Sequence, residues 1–364
     1  MRKVFAGLQS ILLSTLFCSS ALAQTPVDSY EKLSTAGKDA LKAGKLAEAE
    51  TQFKAAQLAA QKLLPADAHR IEAFSNLADL SRKQQKFDVA ESLYKQALDL
   101  ADKYKTGKDG AANLASCLNN LAGLYFEQNK LAEAESLTLR ALAIDEKTLG
   151  PSNKGLVTGL ANLADLYKAE GKKAEAENIY KRIVSIWEKN APDSGQLAAA
   201  LDTLAGFYRA EKRAADSEAP EKRALTILEK KVGAKDIVLV APLNNLANTY
   251  KALNKFDEAE ANYKRSLDIN EAIRGAKHIE VGRSCFNLAK LYKTEKKNAE
   301  AETYYKKAIA VYEGLADAGK ADLVKTFESY ADLLRKTNRE EEADDIQGKA
   351  DALHDGKAAA ESAN

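Results

Sequence analysis

The chain has 364 residues, 45% hydrophobic and 29% charged, with only 6 Pro and 19 Gly. That length serves two globular domains or one extended array, and the Ala, Leu, Lys and Glu bias predicts an all-helical protein. The formal net charge of +1 carries no clustered basic excess, which speaks against a nucleic-acid binder.

In chain order, Arg2 and Lys3 precede an apolar run from Ile11 to Phe17, and Ala21 and Ala23 stand where a signal peptidase reads small residues. Residues 1–23 are therefore predicted to be a secretory signal peptide. Bulky Phe17 disfavours lipid attachment at Cys18, and the run is shorter than the roughly 20 residues that span a bilayer. Cleavage would remove two of the 54 basic residues and no acid, leaving 52 against 53. The mature chain is expected to be exported, to the periplasm or outside the cell, without membrane insertion. Retention of the segment as an anchor stays open. Residues 24–28 read as a short linker.

From residue 29 to 354 the chain repeats itself. The pentapeptide "LNNLA" at Leu118–Ala122 returns at Leu243–Ala247, and the leucine of "NLA" anchors a series: Leu77, Leu121, Leu163, Leu204, Leu246 and Leu288, with Tyr330 in the same place. Steps of 41 to 44 residues separate them, and an earlier, divergent copy is anchored at Ala36. A period of this size signals a solenoid or array. Counting from each anchor, apolar residues at −3, 0, +1 and +4 form one helical stripe, as in Leu118, Leu121, Ala122 and Tyr125. After a short polar joint, a second helix carries Ala at +13 and +20 and an aromatic at +17. Seven of the eight +13 positions are Ala, the exception being Ser217.

This ordered set of Leu, small residue, Tyr, Ala and aromatic resembles the tetratricopeptide repeat, and the wording "LNNLAGLY…NKLAEAESLTLRALAIDEKTLG" is similar to its 42-residue variety typified by kinesin light chain. The resemblance implies an all-α, right-handed superhelical solenoid of about eight helix-turn-helix repeats that acts as a protein-interaction scaffold. It also implies that asparagines on the first helices contact the backbone of a bound peptide. Asn119, Asn120, Asn244 and Asn245 are the candidates. The column just before the anchor is better read as a bond between neighbouring helices, whereas Asn119 and Asn244, at −2, are expected to face the groove.

Two departures stand out. Pro220 falls within the second helix of the repeat anchored at Leu204, and the favoured reading is a late helix start with Pro220 in its first turn. The first and last repeats read as caps, and residues 355–364 as a disordered tail without a periodic apolar face.

Catalytic signatures are missing. "GLADAGKA" at Gly314–Ala321 has Ala321 where a phosphate-binding loop needs a hydroxyl. His69, His278 and His354 lie in separate repeats without a second ligand at metal spacing, so neither a metal nor a cofactor is expected. Acidic pairs such as Glu133 and Glu135 recur in nearly every repeat and are read as a solvated helix face. Cys117 and Cys285 should be free thiols.

First helices are expected to line a concave groove, where the +5 column reads Arg82, Phe126, Lys168, Arg209, Lys251, Lys293 and Arg335. Six of these seven are basic, a row suited to an extended acidic peptide or a chain carboxylate. Asp79, Asp165 and Asp332 are expected to pair within their own helices with Arg82, Lys168 and Arg335, which leaves Arg209, Lys251 and Lys293 without a local partner. The sequence thus predicts a non-catalytic exported scaffold for a protein or peptide, acidic in the favoured form. Self-assembly into homo-oligomers is the alternative, and a helical-repeat hydrolase a remote one.

Overall fold

A computed structural model describes residues 25–361; the predicted signal peptide lies outside them. Sixteen α-helices and three short 3-10 turns account for the described chain, and no strand occurs among those residues. The first helices of the repeats are α1 (Pro26–Lys42), α3 (Ala68–Lys83), α5 (Gly107–Glu127), α7 (Val157–Ala169), α9 (Gly195–Ala210), α11 (Val240–Ala252), α13 (Ile279–Thr294) and α15 (Lys320–Lys336). Each is followed by a second helix: α2 (Leu46–Ala60), α4 (Phe87–Lys103), α6 (Leu131–Leu149), α8 (Lys173–Asn190), α10 (Ala214–Val232), α12 (Phe256–Arg274), α14 (Asn298–Glu313) and α16 (Glu340–Glu361). The protein is an all-α tetratricopeptide-type solenoid of consecutive helical pairs.

Two compact units divide at Lys172 and Lys173. In the N-terminal unit α1 touches α3 and α3 touches α5; in the C-terminal unit α13 touches α15. Second helices pack instead on the first helices before and after them. The closer approach of first helices puts their faces on the inner side of each unit.

Helix ends follow local chemistry. Thr25 and Asp28 form a reciprocal capping box with Pro26 in the first turn, so α1 starts inside the segment read as a linker. At the other end α16 continues to Glu361, past the start of the expected disordered tail, through the Ala-rich run that favours helix. Each first helix closes on a residue eight past its anchor with positive φ, for example Asn129 at 58° and Lys296 at 61°. The N–H of Lys130 then returns to the carbonyl of Tyr125, and that of Asn129 to Phe126, satisfying two terminal carbonyls.

The core follows the repeat columns. Ala49, Ala90, Ala134, Ala176, Ala259, Ala301 and Ala343 are sealed from solvent, and Tyr94, Tyr263 and Tyr305 fill the space they leave. Cys117 and Cys285 are buried free thiols, and burial pushes their pKa values up to about 12 and about 11.

The acidic column at +14 corrects the solvated-face reading. Glu91 accepts a hydrogen bond from the Tyr125 hydroxyl at 3.1 Å and faces Lys130 at 3.6 Å, and the Lys130 ammonium lies 5.1 Å from the Tyr125 ring centre. Glu135 and Lys172 pair at 2.7 Å in the same unit. In the other unit Glu177 holds Arg213 and Tyr208, Glu218 holds Lys255, and Glu302 holds Arg339 and Tyr330. These acids lie one repeat before their basic partners, so they tie successive repeats together. Spacing within one helix could not reveal this, because the partner is about 37 residues away.

Pro220 is also a correction. Helix α10 begins at Ala214, so the proline sits inside it and not in its first turn. Without an N–H, Pro220 makes no bond to the carbonyl of Asp216.

Candidate functional site

The two asparagine columns differ in their bonding. Asn76 donates to the Ser34 hydroxyl at 3.1 Å and Asn245 to Asp202 at 3.0 Å, each bond joining a first helix to its predecessor. Asn245 is therefore engaged in architecture, and Asn120 occupies the equivalent position in the other copy of the pentapeptide. Asn119 and Asn244 are half-buried, and the side-chain oxygen of each is sealed from solvent without a donor. An unpaired buried carbonyl costs about 1–3 kcal/mol, and both copies of "LNNLA" carry it.

The +5 column is less free than its sequence suggests. In the N-terminal unit Arg82 faces Glu127 at 3.7 Å and Lys168 faces Asp165 at 3.6 Å, while Phe126 stands 39% exposed. Asp79 is taken by the Tyr94 hydroxyl instead of pairing with Arg82. Burial raises the pKa of Asp79, and the Tyr94 bond opposes the rise.

In the C-terminal unit Arg335 faces Asp344 at 3.3 Å, and Asp332 pairs with Lys293 of the preceding repeat at 2.5 Å. Lys293 also donates to the Ser329 carbonyl. Arg209 pairs with Glu221, which is 3% exposed. Arg209 and Lys293, which have no acid three residues earlier in their own helices, are thus compensated by partners distant in sequence. Lys251 alone of the three keeps no carboxylate partner among the described residues. Burial lowers its pKa, and Lys290 lowers it further.

The Arg209 pair has a readable origin. Other repeats place a tyrosine at +17 against a polar residue at +2, as Tyr263 donates to Asn248 at 2.6 Å. The repeat anchored at Leu204 has Glu221 at +17 and Gly206 at +2. A Cβ on Gly206 would lie 3.6 Å from the Arg209 guanidinium. The ion pair thus replaces the ring and its polar partner, and Arg209 belongs to the packing and not to an open face. One oxygen of Glu221 remains buried without a partner.

No group of three or more His, Cys, Asp or Glu is assembled for a metal ion among the described residues, and none of their helices is long and apolar enough to cross a membrane.

Tetratricopeptide repeat models match residues 112–189 and 238–314, and residues 73–107, together more than half of the chain. No curated protein matches the sequence. Among solved structures, a Podosopora anserina protein of nearly identical TPR-like repeats, ascribed to a kinesin light chain, is 22% identical over 57% of this chain and 98% of its own, with TM-score 0.50. The apo quorum sensor NprR of B. thuringiensis is 15% identical, covering 90% of this chain and 88% of its own, with TM-score 0.53. A signal-transduction ATPase with a tetratricopeptide repeat sensor from Pyrococcus horikoshii is also 15% identical, over 91% of this chain and 50% of its own, with TM-score 0.58. These likenesses concern the fold. With the repeat register, the paired helices and the matching models in agreement, the chain belongs to the tetratricopeptide repeat family.

Proposed function

We propose that this protein is an exported, non-catalytic scaffold whose first-helix faces hold an extended, acidic segment of a protein partner. One contrast carries the reading. The glutamates at +14 are engaged in ties between repeats, whereas on the first helices Phe126 in one unit is 39% exposed and Lys251 in the other has no carboxylate partner among the described residues. An exposed aromatic and a cation without a partner suit recognition better than packing. NprR is a quorum sensor captured in its apo form, which accords with a ligand-receiving role for this kind of array.

Capture from an envelope extract tests the proposal. The mature chain is expected to retain a partner that Phe126→Ala and Lys251→Glu release; equal recovery by wild type and both variants would remove the inner faces from the account. Export is checked separately by N-terminal sequencing of the protein from its native host. A start at Gln24 is expected, and a start at Met1 would overturn cleavage.

Self-association is the second reading. In the last repeat the +14 residue Asp344 faces Arg335 of its own repeat, and in the first the +9 residue Lys45 faces Glu48 of its own, so neither joins a tie between repeats among the described residues. Light scattering that rises in mass with concentration would favour it.

A further inference from the structure

On the first helices α13 and α15 of the C-terminal unit, the +5 side chain of one repeat meets the +2 side chain of the next. Lys293 and Asp332 occupy these positions and pair at 2.5 Å. One repeat earlier the same two positions hold Lys251 and Lys290, two cations where the following junction has an ion pair. Lys251 is half-buried. The Lys290 ammonium lies 5.7 Å from the centre of the Phe286 ring, and the Lys325 ammonium, from α15, lies 5.6 Å from the same centre. None of the three has a carboxylate partner among the described residues.

A like-charge pair where the register elsewhere supplies opposite charges destabilises the isolated chain. The aromatic face offsets part of that repulsion but does not neutralise it. Lys290 and Lys325 are exposed, and the half-buried Lys251 attracts an anion more strongly than the same charge fully in water. Same-side carboxylates of an extended peptide recur about every 7 Å, a spacing that suits two ammonium groups held around one ring.

We propose that Lys290 and Lys325, held about Phe286, and the neighbouring Lys251 form the subsite that receives the carboxylates of an acidic peptide, one carboxylate taking the place that Asp332 holds beside Lys293. This rests on the acidic-ligand reading above and narrows it from a row of six basic residues to a cluster, two of whose members lie outside that row.

The test is fluorescence anisotropy of a labelled hexa-aspartate peptide with the mature chain at low salt, run beside thermal denaturation. Lys290→Asp is expected to weaken the peptide about tenfold, as loss of a charged hydrogen bond does, and to raise the thermal midpoint, because Lys251 gains the partner that Lys293 already has. A Lys251→Gln/Lys325→Gln double variant is expected to weaken the peptide similarly while staying folded. Unchanged affinity in both variants, with wild type still binding, would sink the subsite and leave the acidic groove standing. A wild type that binds no peptide would remove both. A fall in midpoint for Lys290→Asp would refute the register argument, and displacement by inorganic phosphate at peptide-like concentration would reassign the cluster to phosphate.

Discussion

Individual residues show where the repeat pattern is obeyed at a cost. Position +8 requires a left-handed backbone, which Gly44 and Gly171 adopt without penalty and Asn129, Asn254 and Asn338 adopt readily. Lys212 and Lys296 adopt it too, at φ 59° and 61°, with a Cβ in the way. Lys296→Gly should raise stability by about 1 kcal/mol, measured as a shift in the urea midpoint. The thiols give a second expectation. Cys117 and Cys285 have thiol pKa values raised by burial, so alkylation at pH 8 should be negligible in the native protein and complete after denaturation.

At the scale of a helix, α10 is the exception among second helices. Its proline forfeits a backbone bond, and its buried carboxylate depends on a guanidinium from α9. Arg209→Ala should cost about 3 kcal/mol, because an ion buried without its partner is expensive, and Arg209→Ala/Glu221→Tyr should recover much of that loss by restoring a ring. Pro220→Ala should stabilise by up to about 3 kcal/mol where the helix can reclaim the bond; hydrogen exchange at residue 220 and its neighbours reads this directly.

Legibility from sequence divides along the same line. Helix pairs, anchors and the alanine core were visible because they rest on spacing within about 20 residues, where helical periodicity is strict. The ties from +14 to +9, the replacement of a ring by Glu221 and Arg209, and the meeting of Lys251 with Lys290 join residues of different helices. The +5 column could be listed, yet its availability could not be judged, since partners such as Asp332 and Glu221 become neighbours only on folding. The signal for Lys290 lay in the +2 column, a lysine where the next repeat has aspartate.

For the molecule as a whole, the repeated ties predict an acid response. Glu177 is held at about 2, chiefly by Arg213 and then by Lys181, and Glu302 at about 2, chiefly by Arg339. A carboxyl with its folded pKa depressed stabilises the native state above the unfolded value near 4.5 and loses that contribution as pH falls toward the folded value. Thermal midpoints should therefore hold from neutral pH to about 5 and drop between 4.5 and 2. Glu177→Gln/Glu302→Gln should flatten that drop and lower the midpoint at neutral pH by an amount corresponding to about 1 kcal/mol per site.

Because the ties at Glu91, Glu135, Glu177, Glu218 and Glu302 each bind an acid in one copy to a base in the next, the same rule recurs at successive internal seams. A genetic duplication that adds a whole period, for instance a second Leu121–Asn162 inserted after the first, creates no seam of a new kind. Lengthening by such increments leaves the chemistry of joining untouched, whereas gain or loss of any other number of codons breaks it.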